Sequence, residues 1–378
     1  MKMFAIYSLA LILSIHVRAE ISFTPAPNSP FKIKTGGHNL VAADVNADQK
    51  PDLLISGGSN LTVLFGSGGG QFNPAPNTPI ALPHGASEMT LGDFNHDGHL
   101  DWAGAHHDHY DVIVLLGKGN GQFEPAPGSP FIARAPGKKP HTHALVSGDV
   151  NNDGKLDLVT ANNEDDDVSV MLGDGSGRFA PSPKSPFPVG HSPYPIALAD
   201  VDNDRNIDII APNSSPGIRT VTVLLSDGRG AFRPAPRSPF PTVGAAFYVC
   251  ASDVNSDQKT DLIVTHSGES TITLLLGQGD GDFKPAATSP IQLGNQAWGI
   301  IAADLDRDEK PDLVAAGLNA VAVLKGDGRG GFKPVAGSPF RAGKGCWRPV
   351  LSDFNSDGKL DIAVGNVESN DISVLLAQ

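Results

Sequence analysis

The chain is poor in cysteine, in basic residues and in long apolar runs, and each shortage narrows what it can be. Two cysteines, Cys250 and Cys346, are too few for a disulfide framework or a four-cysteine zinc module. They belong to the fifth and seventh repeats of the pattern described below, with a whole repeat between them, so both are expected as free, largely buried thiols. Lys and Arg total 28 against 41 Asp and Glu, and a net charge of -13 argues against binding nucleic acid or an anionic membrane. Beyond residue 19 no segment approaches the ~18 unbroken apolar residues of a membrane helix, so no integral membrane segment is expected. Sustained 3.6-residue periodicity with helix caps is missing, and helix content should be close to nil. Neither a G-x-S-x-G elbow nor a P-loop lysine occurs. Gly326, Gly328 and Gly331 match G-x-G-x-x-G but sit in a repeated hairpin with no helix after it, which rejects dinucleotide binding.

What abounds is turn formers. The 378 residues include 43 Gly and 31 Pro, above average usage yet below the level of a disordered chain, with an ordinary hydrophobic content of 40%. Residues 1–19 read as a leader: Lys2 gives a charged start, Phe4 to Ile15 is largely apolar, and Val17-Arg18-Ala19 has the small-x-small form of a cleavage site. Cleavage after Ala19 predicts a secreted, periplasmic or cell-surface protein; the competing reading is a membrane-tethered N-terminus.

A nine-residue acidic pattern occurs seven times, beginning at Asp44, Asp93, Asp149, Asp200, Asp253, Asp304 and Asp353, with spacings of 49, 56, 51, 53, 51 and 49 residues. A period near 50 marks a repeat architecture and overrides the size prior for separate domains. Each period reads as four strands: an apolar run before the loop (Ala144-Leu145-Val146), one after it (Leu158-Val159-Thr160), an alternating third (Val168 to Leu172), and a fourth after a Gly-rich turn ending in Phe179. That Phe recurs at 72, 123, 232, 283 and 332. The seventh period stops after its third strand at Ile372–Leu376, while Phe23 to Phe31 matches the tail of every complete period. Residues 20–378 are therefore predicted to form one all-β, seven-bladed β-propeller of four-stranded blades, closed by an N-terminal strand that completes the last blade. The Pro-rich PAPxSPF segment suits the outermost position, because Pro cannot donate to a further ladder.

The repeated DxNxDGxxD with its following Gly-rich turn and Phe resembles the FG-GAP/VCBS repeats, the integrin-α-like propellers, over nearly all of residues 20–378. The resemblance implies a calcium site in the hairpin between the first two strands of each blade, and ligand binding, where present, on the opposite face. It names no ligand.

The residues themselves point to a hard cation. Side chains at loop positions 1, 3, 5 and 9, with the carbonyl of position 7, supply oxygen to Ca²⁺, which takes six to eight such ligands. The candidate sets are Asp44, Asn46, Asp48, Lys50 and Asp52; Asp93, Asn95, Asp97, His99 and Asp101; Asp149, Asn151, Asp153, Lys155 and Asp157; and Asp200, Asp202, Asp204, Asn206 and Asp208. The remaining three are Asp253, Asn255, Asp257, Lys259 and Asp261; Asp304, Asp306, Asp308, Lys310 and Asp312; and Asp353, Asn355, Asp357, Lys359 and Asp361. An EF-hand closes with Glu at position 12 between helices, so it does not apply. The aspartates of these loops make up 23 of the 41 acidic residues, a concentration that would repel itself without a cation. Up to seven Ca²⁺ are expected; the bland alternative is a set of Asp/Asn-rich turns. Position 6 is Gly only at Gly98, Gly154 and Gly358, so the four loops with Gln49, Arg205, Gln258 and Glu309 are expected to bind more weakly.

Six residues before each loop stand His38, Ser87, His143, Tyr194, Phe247, Trp298 and Trp347. If the first strands line the channel, these ring its mouth beside Tyr248 and Arg348, where aromatic faces suit sugar rings or extended chains; inter-blade packing is the alternative. A second cluster, His106, His107 and His109 with Asp108 and Asp111, is expected on the same face as His84, His141 and His143, able to take Zn²⁺, Ni²⁺ or Cu²⁺ or to be a solvated polar loop. Asn162 to Asp167 reads as a hydrophilic loop, and Asn162, Asn213 and Asn366 as turn caps. The leading functional expectation is an exported, monomeric, non-catalytic module binding a glycan or protein. A metal-assisted hydrolase or lyase acting on polysaccharide through the His-rich face, and a purely architectural module, are the rivals.

Overall fold

The computed structural model describes residues 20–33, 39–134, 137 and 141–378; residues 1–19, expected to be a leader, and His38 lie outside them. Seven antiparallel sheets follow one another along the chain. In blade three the four strands are Thr142–Gly148, Asp157–Asn162, Asp167–Gly173, and an outer strand made of Phe179–Pro181 and Phe187–Pro188. The innermost strands of all seven blades touch their neighbours, from Asn39–Ala43 round to Cys346–Ser352 and back, so they form a closed ring about a central channel. The chain is thus a seven-bladed β-propeller. The one short 3₁₀ turn, Asn163–Asp165, is the sole helical element among the described residues.

Each outer strand is split. In blade two, Phe123–Pro125 and Phe131–Ile132 pair separately with Asp111–Gly117. The gap holds the Pro-Ala-Pro-x-Ser-Pro sequence, whose Ser–Pro or Thr–Pro bond is cis in every blade. The residue before this Pro supplies the missing acceptor: Ser129 Oγ accepts the Val114 N–H at 2.8 Å, Ser185 Oγ that of Val170 at 2.9 Å, and Thr78 Oγ1 that of Val63 at 2.8 Å. The motif therefore interrupts the ladder without leaving a third-strand donor unpaired.

The blades join through apolar clusters between adjacent sheets, and edge-to-face Phe pairs seal the rim. Phe131–Phe179, Phe187–Phe232 and Phe240–Phe283 lie 5.8, 5.2 and 5.1 Å apart. Where the segment reads TPI or SPI, Ile80 packs with Phe123 and Ile291 with Phe332 instead. In the last blade Phe23–Pro25 pairs with Leu375–Ala377, and Phe31–Lys32 with Asp371 and Ile372. Phe23 then meets Phe340 at 5.5 Å and Phe31 meets Phe72 at 5.9 Å, so the N-terminal segment plugs the junctions on both sides of blade seven.

Candidate functional site

The two ends of the channel carry different chemistry. At one end lie the seven acidic loops. Their backbone curls around the carboxylates: in blade two Asp93 accepts N–H bonds from Asp97 and Gly98 at 3.1 and 3.0 Å, Asn95 Oδ1 accepts from Asp97 at 2.9 Å, and Asp97 accepts from His99 at 2.8 Å. Two residues per loop take the left-handed conformation. Position 6 does so as expected, including Gln49, Arg205, Gln258 and Glu309; position 4 does so as well, in Ala47, His96, Asn152, Asn203, Ser256, Arg307 and Ser356. All donors are oxygens, and in blade four single carboxylate oxygens of Asp200, Asp202 and Asp208 come within 4.8 Å of one another. That donor set fits a hard cation.

Position 9 has a further task. The Asp157 carboxylate is buried and accepts the Val150 N–H at 3.0 Å and the third-strand Gly173 N–H at 2.9 Å. The same two bonds recur at Asp52, Asp101, Asp208, Asp261, Asp312 and Asp361. Burial lifts these carboxyls to about 6, and Asp208 to about 7, against the lowering effect of the two N–H donors. Position 9 thus fastens each loop to the strand behind it.

Loop six differs. Lys325 replaces the apolar residue found at that third-strand position elsewhere, such as Leu172 or Leu276, and its ammonium bonds Asp306 and lies 3.4 Å from Asp308. Although burial opposes it, contact with Asp306 and Asp308 holds the lysine above its ordinary pKa.

At the opposite end an arc of rings runs across five blades. His143 meets Tyr194 at 4.2 Å, Tyr194 meets Phe247 at 4.5 Å, Phe247 meets Trp347 at 6.0 Å and Trp347 meets Trp298 at 5.4 Å. The arc continues from His143 through His107 and His106 to His109, which stacks on His84 at 4.0 Å with only 6° between the planes. Ser87, Glu88, His107, His143, Tyr194, Trp298, Trp347, Val367 and Glu368 enclose an open cavity of about 310 Å³. Most of these rings are half-buried, packing on one another while facing this space. Burial drives the His143 imidazole down to about 3, helped by His107, and pushes the Tyr194 hydroxyl up to about 12, helped by Glu88.

Arg348 and Phe247 do not line the cavity. The Arg348 guanidinium lies 3.0 Å from Glu88 across the channel and 5.2 Å over the Tyr248 ring. Burial pushes the Glu88 carboxyl above the usual range, and Arg348 opposes the rise. Glu88 escaped the sequence reading although it directly follows Ser87 of the ring register; a single Glu in one of seven repeats is no pattern.

Two polar segments also differ from expectation. Asn162 to Asp167 is more than a solvated loop: Asp165 and Asp167 pair with Arg134 at 3.4 and 2.5 Å, and Asp165 accepts the Tyr110 hydroxyl, clasping blade three to blade two. Asn162, Asn213 and Asn366 are buried staples rather than turn caps. Asn213 Nδ2 bonds Thr220 and Thr222 Oγ1 at 2.8 and 3.0 Å, and Asn366 Nδ2 bonds Asp371 and Ser373 at 2.8 and 2.9 Å. The two thiols are free; burial pushes Cys250 up to about 11 and Cys346 to about 12.

A ring of seven sheets, each with one acidic hairpin loop, defines the class as a repeat propeller. The chain belongs to the FG-GAP-like repeat family, which matches residues 44–104, 149–211, 253–315 and 304–364, more than half its length. No curated protein sequence matches it. Among solved structures it is similar to an Agrocybe aegerita lectin described as recognising non-reducing terminal N-acetylglucosamine, with TM-score 0.57, 19% identity, and coverage of 92% of this chain and 85% of that one. It is also similar to BBS1N in complex with ARL6DN, in a crystal soaked with lead (TM-score 0.67, 9% identity, 95% and 98% coverage) and one soaked with mercury (0.62, 10%, 94% and 96%). At these identities the likeness shows the fold alone. Among the described residues no helix is long and apolar enough to cross a membrane.

Proposed function

We propose that the protein is an exported, non-catalytic propeller, held together by calcium in its acidic loops, that binds a glycan at the opposite mouth of the channel. The observation that carries the reading is the open cavity in which Tyr194, Trp298 and Trp347 stand beside Ser87, Glu88 and Glu368. Ring faces next to carboxylates match the apolar face and hydroxyl rim of a pyranose. The recognition of terminal N-acetylglucosamine described for the structurally similar lectin supports the choice of ligand class. The leader-like residues 1–19 support export.

Calcium would be held by the side chains at positions 1, 3, 5 and 9 and the carbonyl of position 7, and would neutralise carboxylates that otherwise repel one another. Because an ion that binds only the folded chain stabilises it by mass action, excess EGTA is expected to lower the melting temperature by many degrees, and added Ca²⁺ to restore it. A glycan array probed with the calcium-loaded chain is expected to give binding that Trp298→Ala or Trp347→Ala abolishes without changing the melt in Ca²⁺. A silent array, or binding unaffected by both substitutions in folded protein, overturns the glycan reading; capture of a defined protein partner in its place would do the same.

A further inference from the structure

We propose that His107, His141 and His143 form a binding site for one borderline divalent cation, Zn²⁺ or Cu²⁺, in the wall of the channel mouth. His107 lies in the loop after Asp101–Ala105 of blade two, His141 just before the inner strand of blade three, and His143 within that strand. One ring nitrogen from each comes within 4.8 Å of the others. The ring centroids are 5.2 Å apart for His107 and His141 and 4.4 Å for each of the two pairs with His143. At a Zn–N distance of about 2.0–2.1 Å, two ligands of a tetrahedral ion stand about 3.3 Å apart, so side-chain rotations of roughly an ångström close the triangle.

The surroundings favour a held site over three mobile imidazoles. Backbone bonds pin both segments: the Thr142 N–H donates to the His107 carbonyl at 3.3 Å, and the Asn163 N–H to the His141 carbonyl at 2.8 Å. His143 is buried and the other two half-buried. The buried Nδ1 of His141 makes no hydrogen bond among the described residues, and Glu164 Oε1 stands 3.4 Å from it. A carboxylate behind an imidazole is the usual device that orients a liganding histidine. Imidazole donors select borderline cations, whereas the all-oxygen loops at the other end select hard ones, so the two kinds of site do not compete. His107 and His143 also line the 310 Å³ cavity, so a fourth coordination position faces that open space.

The nearby group His84, His109 and Asp111 also brings one ligand atom from each residue within 4.8 Å, but there His84 Nε2 is already paired with Asp111 Oδ1 at 2.9 Å and the His84 and His109 rings stack flat, so it serves as the comparison site.

The inference is independent of the glycan reading, since the ion is measured without sugar. The full chain, free of any affinity tag and saturated with Ca²⁺, is titrated with Zn²⁺ by calorimetry and loaded with Cu²⁺ for electron paramagnetic resonance. One Zn²⁺ per chain and nitrogen hyperfine structure on the copper signal are expected. His107→Ala and His141→Ala should each weaken Zn²⁺ binding by about 100-fold or more, with the melt in Ca²⁺ unchanged, while His109→Ala leaves it intact. Both tested residues are half-buried and not fully enclosed, so the result does not depend on replacing buried His143. Absence of Zn²⁺ binding, its survival in folded His107→Ala and His141→Ala, or its loss in His109→Ala overturns the proposal.

Discussion

The aspartate at loop position 9 separates two functions that the motif joins. Asp157 closes the loop toward the proposed cation and also holds two buried backbone N–H groups. Asp157→Ala leaves both donors unpaired and is expected to cost about 2–5 kcal/mol in denaturant unfolding even in excess chelator, because each unsatisfied buried group costs about 1–3 kcal/mol. Asp153→Ala, exposed at position 5, should cost stability only when Ca²⁺ is present. Lys325 gives the converse case, a side chain that places a positive charge among Asp306 and Asp308. Lys325→Leu should raise the number or the affinity of calcium ions bound, read by calorimetry. The oxygen-bearing side chains of the loops were legible because they recur in register. The clamp was not, since its partners are backbone groups: one lies in the loop and one in a strand some sixteen residues further on, as with Asp157 and Gly173. The left-handed position 4 was equally hidden, because Ala, His, Asn, Ser and Arg share no side-chain property that marks it.

In four blades the second and third strands are stapled by a side chain at one register. It is Asn in blades three, four and seven and His266 in blade five, where the ring nitrogens lie 3.0 and 2.8 Å from Thr271 and Thr273 Oγ1. Burial lowers the His266 pKa, partly countered by Glu269 at 3.5 Å, and Arg219 adds to the lowering. With the folded value below the unfolded one near 6.5, the contribution is complete above that pH and is lost as pH falls toward the folded value. His266→Asn reproduces the blade-four arrangement of Asn213 with two threonines. The variant should fold normally at pH 7 and lose less stability than the parent between pH 7 and pH 5, as denaturant melts at the two values will read. Strand number and order were legible from the repeat. The split outer strand was not, because a Ser hydroxyl standing in for a ladder acceptor leaves no periodic trace.

For the molecule as a whole, the N-terminal segment decides closure. Deleting residues 21–31 removes most of the outer strand of blade seven, together with Phe23 and Phe31 at its two junctions. Aggregation, or a fall of many degrees in melting temperature, is expected by scanning calorimetry and light scattering, whereas removal of residues 1–19 alone should change neither. The ring's blade count and this exchange were legible, because the tail missing from one terminus stands at the other. The aromatic arc was legible only in part. A shared register gathered His143, Tyr194, Phe247, Trp298 and Trp347, but the cavity that four of them line is completed by Glu88 and Glu368, whose side chains follow no pattern across the seven repeats.

The seventh sheet is woven from the first and last strands of the described chain, with Gln378 donating its N–H to the Ser22 carbonyl at 3.0 Å. A ribosome delivers those two strands far apart in time, since residues 23–32 pair with residues 371–377. Blades one to six have all their strands as soon as each repeat emerges, and neighbours can dock in sequence, as repeat arrays do. Residues 21–32 must meanwhile wait, with their ladder groups unpaired, for a partner made some 340 residues later. The ring therefore shuts only once residues 371–377 have been made, and a chain that stalls before residue 371 is expected to remain an open arc with two unpaired flanks. Pairing of residues 23–25 with 375–377 thus makes closure of the ring report that synthesis has passed the last blade.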